Sequence, residues 1–239
     1  MVGLIGGYNL YNILREKKWK KIKTKYGEPS SRVAIGKIHG KKVALILRHG
    51  ENHTIPPHKI NHQANIKAFY DLGVKNIIAI SRVGIINPRI KVGDLILPDD
   101  FIDFRFQPTT FFDNFAKEAK HALMISPYST RLRNFIKNSA QKMKIKIHSR
   151  GVYANTLGPR FETQVELKIL KKMGADMVGM TNVPEVVLAN ELEIEIAAIA
   201  QGVNPTIGAR PIDFKKFSSI IKNNAKQLRA LIKETIQLL

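Results

Sequence analysis

The chain has 239 residues, no cysteine and an apolar content of 44%. A chain of this length can bury a sizeable core, and without cysteine it can form neither a disulfide framework nor a thiolate metal site. No run approaches the roughly 18 consecutive apolar residues of a membrane-spanning helix, and the first residues lack the basic and long apolar regions of a signal peptide. We therefore expect a soluble protein of the cytoplasm.

The net charge is +20, from 39 basic and 19 acidic residues. A basic surface often binds nucleic acid, but the lysines are scattered along the chain and aromatic residues are not interleaved with them at regular spacing. Nucleic acid is therefore not expected to be the main partner. Two interpretations of the charge stay open: solvated faces of a lysine-rich protein, and a field that attracts an anionic substrate.

Apolar runs and helical spacing predict the secondary structure in chain order. The first half predicts a strand over 2–5, a hairpin over 33–38 and 42–47, a helix over 59–72, a strand over 76–80, and a turn and strand over 93–98. The second half predicts a surface loop over 104–115, a helix over 130–143, a strand over 150–156, a helix over 163–172, a strand over 177–180, a helix starting near Pro184, a strand over 195–200, and a helix over 216–239.

This alternation of strands and helices predicts an α/β protein, with a mixed, mainly parallel central sheet flanked by helices. No linker rich in Gly, Ser or Pro divides the chain, so residues 1–239 are expected to form a single domain. Polar or glycine-rich segments follow six predicted strands: Gly6-Gly7, Arg48-His49-Gly50, Ser81-Arg82, Gly158 to Glu162, Met180-Thr181, and Asn204. Because sites in such sheets lie at the carboxyl ends of strands, these segments are expected to form one composite pocket.

Two segments carry the most specific pattern in the chain. The first is Gly-Pro-Arg-Phe-Glu-Thr over 158–163, and the second is Gly-Met-Thr-Asn-Val-Pro-Glu-Val over 179–186. Together they resemble the floor under the nucleobase and ribose in the purine nucleoside phosphorylase and methylthioadenosine phosphorylase family. The resemblance extends from about Gly3 to Asn204, most of the chain.

The resemblance implies an enzyme that cleaves purine nucleosides with inorganic phosphate as co-substrate and with no organic cofactor. It also implies a homotrimer or homohexamer in which a neighbouring subunit closes the pocket around the 5′ substituent, a contact that the 104–115 loop could supply. No metal is expected, because the histidines are not spaced with acids as metal ligands usually are.

The family resemblance assigns phosphate binding to the Arg48-His49-Gly50 segment and to Thr181. A guanidinium fork suits phosphate oxygens, His49 is expected to donate a second hydrogen bond, and Thr181 is expected to add its hydroxyl and backbone N–H. Taken alone, an arginine at a strand end more often forms a surface salt bridge.

The family resemblance assigns contact with the sugar to Met180, which would lie under the ribose. A lone methionine at this place would more often be a core residue. Glu185 could orient the neighbouring loop or reach a ribose hydroxyl, and the sequence does not separate these roles. Ile212 and Phe214 are candidates to line an apolar pocket for the 5′ substituent.

The base is assigned to three residues, of which Phe161 would stack on the purine face. The Glu162 carboxylate can accept from N1–H of a 6-oxopurine, and Asn204 can donate to O6 and accept from protonated N7. Asn204, Glu162 and His49 are therefore the predicted catalytic residues.

The choice of base follows from the same residues. Family members that use 6-oxopurines pair Glu with Asn at these places, whereas those that use adenine nucleosides carry a small hydroxyl residue and Asp. The sequence therefore favours inosine, guanosine or S-methyl-5′-thioinosine as substrate, with S-methyl-5′-thioadenosine as the alternative.

Two departures from the family pattern affect the phosphate subsite. Tyr8 stands where the family usually has Ser or Thr, and Arg82 stands where it usually has a small residue. Either these two side chains supply new phosphate contacts, or they partly fill the subsite and the chain is a non-catalytic purine-binding relative. A nucleoside hydrolase is a weaker alternative, because a hydrolase has no use for the anion-binding Arg48 and His49.

Overall fold

The structure is a computed structural model that describes residues 1–7, 10–106, 108–116, 118–206 and 214–239, with the side chains of 214–218 outside the description. Its strands are β1 (Val2–Gly6), β2 (Lys17–Lys20), β3 (Val33–Ile38), β4 (Lys41–Leu47), β5 (Asn76–Ile85), β6 (Leu95–Ile96), β7 (Asp100–Asp103), β8 (Ile147–His148), β9 (Val152–Asn155), β10 (Met177–Gly179) and β11 (Glu195–Pro205). Its helices are α1 (His62–Asp71), α2 (Thr130–Lys142), α3 (Gln164–Lys172), α4 (Asn182–Glu191) and α5 (Phe214–Leu238).

All eleven strands belong to one sheet, whose main path runs β2-β3-β4-β1-β5-β10-β9-β7. β11 pairs with β5 and β6, and β8 pairs with β6. The central pairs of β1 with β4, β1 with β5 and β5 with β11 are parallel, whereas β10 runs antiparallel to β5. The predicted class, an α/β fold with a mixed, mainly parallel sheet, is confirmed.

Helices cover both faces of the sheet, because successive residues of a strand point to opposite sides. On β1, Leu4 belongs to a buried cluster that includes Leu132 of α2 and Leu231 of α5. The next residue, Ile5, belongs to a second cluster that includes Phe69 of α1 and Val186 of α4. The central strands are therefore apolar on both faces, as their sequences predicted.

The predicted hairpin is present between β3 and β4, which pair antiparallel from Ala34↔Leu45 to Ile38↔Lys41. His39 and Gly40 at its turn both have positive φ, 47° and 77°, the backbone that a two-residue hairpin turn requires. β2 pairs with β3 at the edge of the sheet and was not predicted. Its Lys-Lys-Trp-Lys sequence has no apolar run. Lysines on an edge strand hinder its pairing with other chains.

β5 and β11 are longer than their apolar runs predicted. They pair along their whole length, from Asn76↔Glu195 to Ile85↔Pro205, with a register shift between Gly202 and Asn204. Both strands extend beyond their apolar parts because β5 and β11 form backbone hydrogen bonds with each other there. One consequence is that Arg82 and Gln201 lie opposite each other at the carboxyl ends of these strands.

Helix starts follow local capping. α1 begins at His62 rather than at residue 59, because the Asn61 side chain accepts from the Ala64 N–H and fixes the first turn there. α3 begins as predicted, with Thr163 and Glu166 forming a reciprocal capping box. This box fixes the segment immediately before α3, which carries Phe161 and Glu162.

Candidate active site

A cavity of about 530 Å³ lies at the carboxyl ends of the central strands. Its walls come from the carboxyl-terminal parts of β5 and β11, from the segments that follow β1, β4 and β10, and from the segment before α3. Among the described residues it brings together every predicted site residue whose side chain is described: Arg48, His49, Arg82, Phe161, Glu162, Met180, Thr181 and Asn204. Its volume and position are those of a small-molecule site in an α/β sheet.

The predicted base-binding side chains line one part of this wall. Glu162 accepts a hydrogen bond from the Thr156 hydroxyl at 2.6 Å, which holds the carboxylate in place and leaves acceptor capacity for a ligand. The Asn204 amide donates a 3.3 Å hydrogen bond to the Pro205 carbonyl. Phe161 is 49% exposed, so its ring is accessible for stacking.

Met180 is packed against the turn that carries the first motif. Gly158 has φ of 68°, and a Cβ atom there would lie 2.6 Å from the Met180 sulfur. Only glycine allows both this backbone conformation and this close approach. The methionine predicted to lie under the ribose is therefore held in the cavity wall by the segment that precedes Phe161.

Arg48 is fully engaged by a buried carboxylate. Its Nε and Nη2 donate to the Glu185 carboxylate at 2.5 and 2.7 Å, and its Nη1 donates to the Ile80 carbonyl at 2.7 Å. The side chains of Arg48 and Glu185 are 2% and 0% exposed, and His62 Nδ1 lies 3.6 Å from Glu185 Oε1. Burial opposes the ionisation of Glu185, but the Arg48 guanidinium outweighs it and holds the pKa of this carboxyl below its ordinary value.

Of the two roles left open for Glu185, this pairing selects orientation of the Arg48 loop and not contact with a ribose. It also neutralises the Arg48 charge within the protein. The role of Arg48 as a phosphate ligand stays a prediction, and its pairing means that other groups must supply most of the positive charge for an anion.

Three further basic side chains line the cavity beside Arg48. The His49 ring lies 4.8 Å from the His53 ring, and Nδ1 of His49 lies 2.8 Å from the Ile55 carbonyl oxygen, to which it donates. Arg82 makes no hydrogen bond or ion pair with any residue of the described ranges, and burial followed by the Arg48 charge lowers its pKa. His49, His53 and Arg82 therefore form a cluster of basic side chains in which Arg82 supplies the positive charge.

Burial, and then the adjacent Arg48 charge, lowers the pKa of His49 to about 4. Burial also lowers the pKa of His62. An unfolded histidine titrates at about 6.5, so below that pH the unfolded chain takes up protons that the folded chain does not. Stability must therefore be fully present above about pH 6.5 and fall as the pH drops towards 4.

We accordingly expect the Tm of the ligand-free protein to fall between about pH 6.5 and pH 4, a window set by His49. His49→Gln should reduce the slope in this window, whereas His39→Asn, in the exposed hairpin turn, should leave it unchanged. Thermal unfolding at half-unit pH steps measures both. Equal slopes in the wild type and His49→Gln would contradict the assignment.

His53, Ser81 and Gln201 are polar lining residues to which the sequence assigned no role in the site. The Ser81 hydroxyl and the Gln201 Nε2 are buried, and neither has a hydrogen-bond partner among the described residues. A single amide after the apolar run that ends at Ala200 was the signal that could have identified Gln201.

Three predicted residues cannot be placed. Tyr8 and Ile212 lie outside the described residues, and Phe214 begins α5 with its side chain outside the description. In the part of the chain that is described, no group of three His, Asp or Glu side chains could hold a metal ion. None of the described helices is long and apolar enough to cross a membrane.

The cavity, with its candidate base-binding and cationic walls at the carboxyl ends of a mixed sheet, defines a nucleoside-binding class of α/β protein. The chain belongs to the phosphorylase superfamily, whose family model matches residues 2–237. The resemblance inferred from the two motifs is thereby confirmed.

Individual relatives fall on both sides of the substrate choice. The chain is 38% identical to the probable 6-oxopurine nucleoside phosphorylase of Moorella thermoacetica, covering 98% of this chain and 92% of the relative. It is 39% identical to the S-methyl-5′-thioadenosine phosphorylase of Thermofilum pendens, covering 98% and 90%. The structure of methylthioadenosine phosphorylase from Schistosoma mansoni in complex with adenine superposes with a TM-score of 0.92 at 27% identity, covering 99% of this chain and 91% of that one.

Proposed function

We propose that the protein is a pentosyltransferase that cleaves 6-oxopurine nucleosides with inorganic phosphate, releasing the free base and a pentose 1-phosphate. Inosine, guanosine and S-methyl-5′-thioinosine are the candidate substrates. The observation that carries the proposal is that Glu162 and Asn204 line the same cavity, because this pair matches the N1–H, O6 and N7 pattern of a 6-oxopurine.

The reaction needs positive charge beside the sugar, to hold phosphate, and stabilisation of the base as it leaves with negative charge. Arg82 can supply the first, and His49, His53 and Thr181, which line the same cavity, can add hydrogen-bonding groups. Asn204 can supply the second by donating to O6 and accepting from N7 as that nitrogen becomes protonated. Met180 provides an apolar surface for the sugar between these two regions.

The proposal extends to the surroundings of the site. We expect no organic cofactor and no metal, a cytoplasmic location, and a homotrimer or homohexamer whose neighbouring subunit closes the 5′ end of the pocket. Half-exposed Phe161 and the exposed Phe106 and Phe115 are consistent with an additional contact near the site and the 104–115 loop.

S-methyl-5′-thioadenosine phosphorolysis is the second candidate function. It is favoured by the Thermofilum pendens relative and by the Schistosoma mansoni structure. Glu162 argues against it, because a carboxylate there faces the unprotonated N1 of an adenine and the two lone pairs repel.

The test is release of hypoxanthine from inosine and from S-methyl-5′-thioinosine, with and without phosphate, with adenosine and S-methyl-5′-thioadenosine as comparison substrates. Phosphate-dependent release from the oxopurine substrates alone is the expected result. Release from the adenine nucleosides alone would select the second candidate. Binding of hypoxanthine without any turnover would identify a non-catalytic relative.

A substitution of Arg82 distinguishes two hypotheses: that this side chain binds phosphate, or that it fills the phosphate subsite. Because Arg82 is a cation without a partner in the described residues and lies in the cavity wall, we expect Arg82→Met to raise the KM for phosphate by about 10–100-fold, the range for a lost charged hydrogen bond. The KM for nucleoside should change much less. Steady-state kinetics with each substrate varied in turn measures this.

Arg89→Met is the matched control, because it removes the same charge from an exposed position. An unchanged or lower KM for phosphate in Arg82→Met would mean that Arg82 fills the subsite instead of binding the anion.

A further inference from the structure

The orientation of the His49 ring is fixed by a two-way contact across its own loop. Its Nδ1–H donates to the Ile55 carbonyl at 2.8 Å, and the His49 carbonyl accepts from the Ile55 N–H at 3.0 Å. A carbonyl oxygen can only accept, so the proton must lie on Nδ1. In the neutral ring, Nε2 is then the unprotonated nitrogen, and it is the one left for a ligand in the cavity.

The surroundings of His49 favour this neutral ring. Arg48 precedes His49 in the chain, and the His53 ring lies 4.8 Å from the His49 ring between centroids. Arg82 of β5 lines the same cavity, and after burial its charge lowers the pKa of His53. From α4, Glu185 is the facing carboxylate, and it is already bonded to Arg48 and lies close to His62. Burial and the Arg48 charge together lower the pKa of His49 to about 4, so the ring is neutral at pH 7.

We propose that His49 acts in the anion subsite as a hydrogen-bond acceptor through Nε2, and that it selects oxyanions that carry an O–H over oxyanions that carry none. The proposal rests on the proposed function, in which this cavity binds phosphate. It reverses the sequence-based expectation that His49 donates to phosphate.

Hydrogenphosphate retains one P–OH at neutral pH, and hydrogenarsenate likewise retains one As–OH. Sulfate has the same size and a similar charge but no proton, so each of its oxygens presents only lone pairs to Nε2. An oxyanion with a hydroxyl therefore gains a hydrogen bond at His49 where sulfate meets repulsion. Arg82 attracts all three anions by charge and does not discriminate between them.

The test is calorimetric titration of the wild-type protein, without nucleoside, with phosphate, arsenate and sulfate at pH 8, where phosphate and arsenate are dianions like sulfate. At this pH we expect phosphate and arsenate to bind with similar Kd and sulfate to bind about 10–100-fold more weakly, the range for one unsatisfied polar contact.

His49→Gln provides the decisive variant, because its amide N–H can donate to sulfate. We expect the sulfate-to-phosphate ratio at pH 8 to fall towards one in His49→Gln. It should stay at the wild-type value in His58→Gln, which changes an exposed histidine that does not line the cavity. A purely structural role of His49 would weaken both anions equally and leave the ratio unchanged.

A ratio near one in the wild type at pH 8, or an unchanged ratio in His49→Gln, overturns the inference. If phosphate-dependent turnover is observed in the same preparation, the proposed function stands and only the inference fails. If no anion binds and no turnover occurs, both fall together.

Discussion

Asn204→Asp is expected to lower kcat/KM for inosine by about 10²–10³-fold, the effect of removing one donor from a developing oxyanion. An aspartate cannot donate to O6, and its carboxylate places a negative charge beside an atom that gains negative charge as the base leaves. The β11 backbone that carries residue 204 is paired to β5 on either side of the register shift, so the substitution changes chemistry without moving the backbone.

The same variant should affect adenosine in the opposite sense. The amino group of adenine donates where O6 accepts, so kcat/KM for adenosine should stay unchanged or rise. Measuring kcat/KM with both nucleosides at saturating phosphate gives a ratio that is insensitive to the fraction of folded enzyme. Asn138→Asp, at an exposed position of α2, is the control. A parallel loss with both nucleosides would mean that Asn204 does not read the base.

Glu185→Gln is expected to destabilise the protein by about 3–5 kcal/mol, because it leaves the buried Arg48 charge without its counter-charge. At the scale of this chain, about 2–4 °C of Tm accompany each kcal/mol, so Tm should fall by roughly 6–20 °C. Thermal unfolding by circular dichroism measures this. Activity should fall as well, because Glu185 orients the loop that carries Arg48 and His49.

Two comparisons test the cause. The double variant Arg48→Met, Glu185→Leu should recover much of the lost stability, because it removes both charges instead of one. Glu28→Gln breaks the Lys21–Glu28 pair, whose side chains are 74% and 54% exposed, and should change Tm little. If Glu185→Gln and Glu28→Gln had similar Tm values, the buried pair would not be a stabilising feature.

Much of the fold was predictable because the central strands are apolar on both faces. Gly40 predicted the hairpin turn. The helix α3 begins and ends as predicted because the residues that cap it are close to it in sequence. β2 could not be predicted, since an edge strand with three lysines in four residues has no apolar signal. The polar ends of β5 and β11 were missed because each exists only through pairing with the other.

The candidate site shows the same division between local and distant information. Glu162 and Met180 were predicted as site residues because they lie within the two motifs, and Asn204 because it follows a predicted strand in the region of the resemblance. The partner of Arg48 was not, since Glu185 lies 137 residues away in sequence and only the folded chain brings the two together. The tie between His49 and Ile55 depends on a ring orientation, which residue types alone do not specify.

The side chains proposed to bind the base and those proposed to bind the anion come from separate parts of the chain. Glu162 lies on the segment before α3 and Asn204 at the end of β11, whereas His49 and His53 follow β4 and Arg82 lies on β5. Substitutions that alter the choice of nucleobase therefore need not disturb the groups that hold the anion. After a gene duplication, one copy could therefore change its preferred nucleobase through substitutions near residues 162 and 204. The groups proposed to bind the anion would remain as they are.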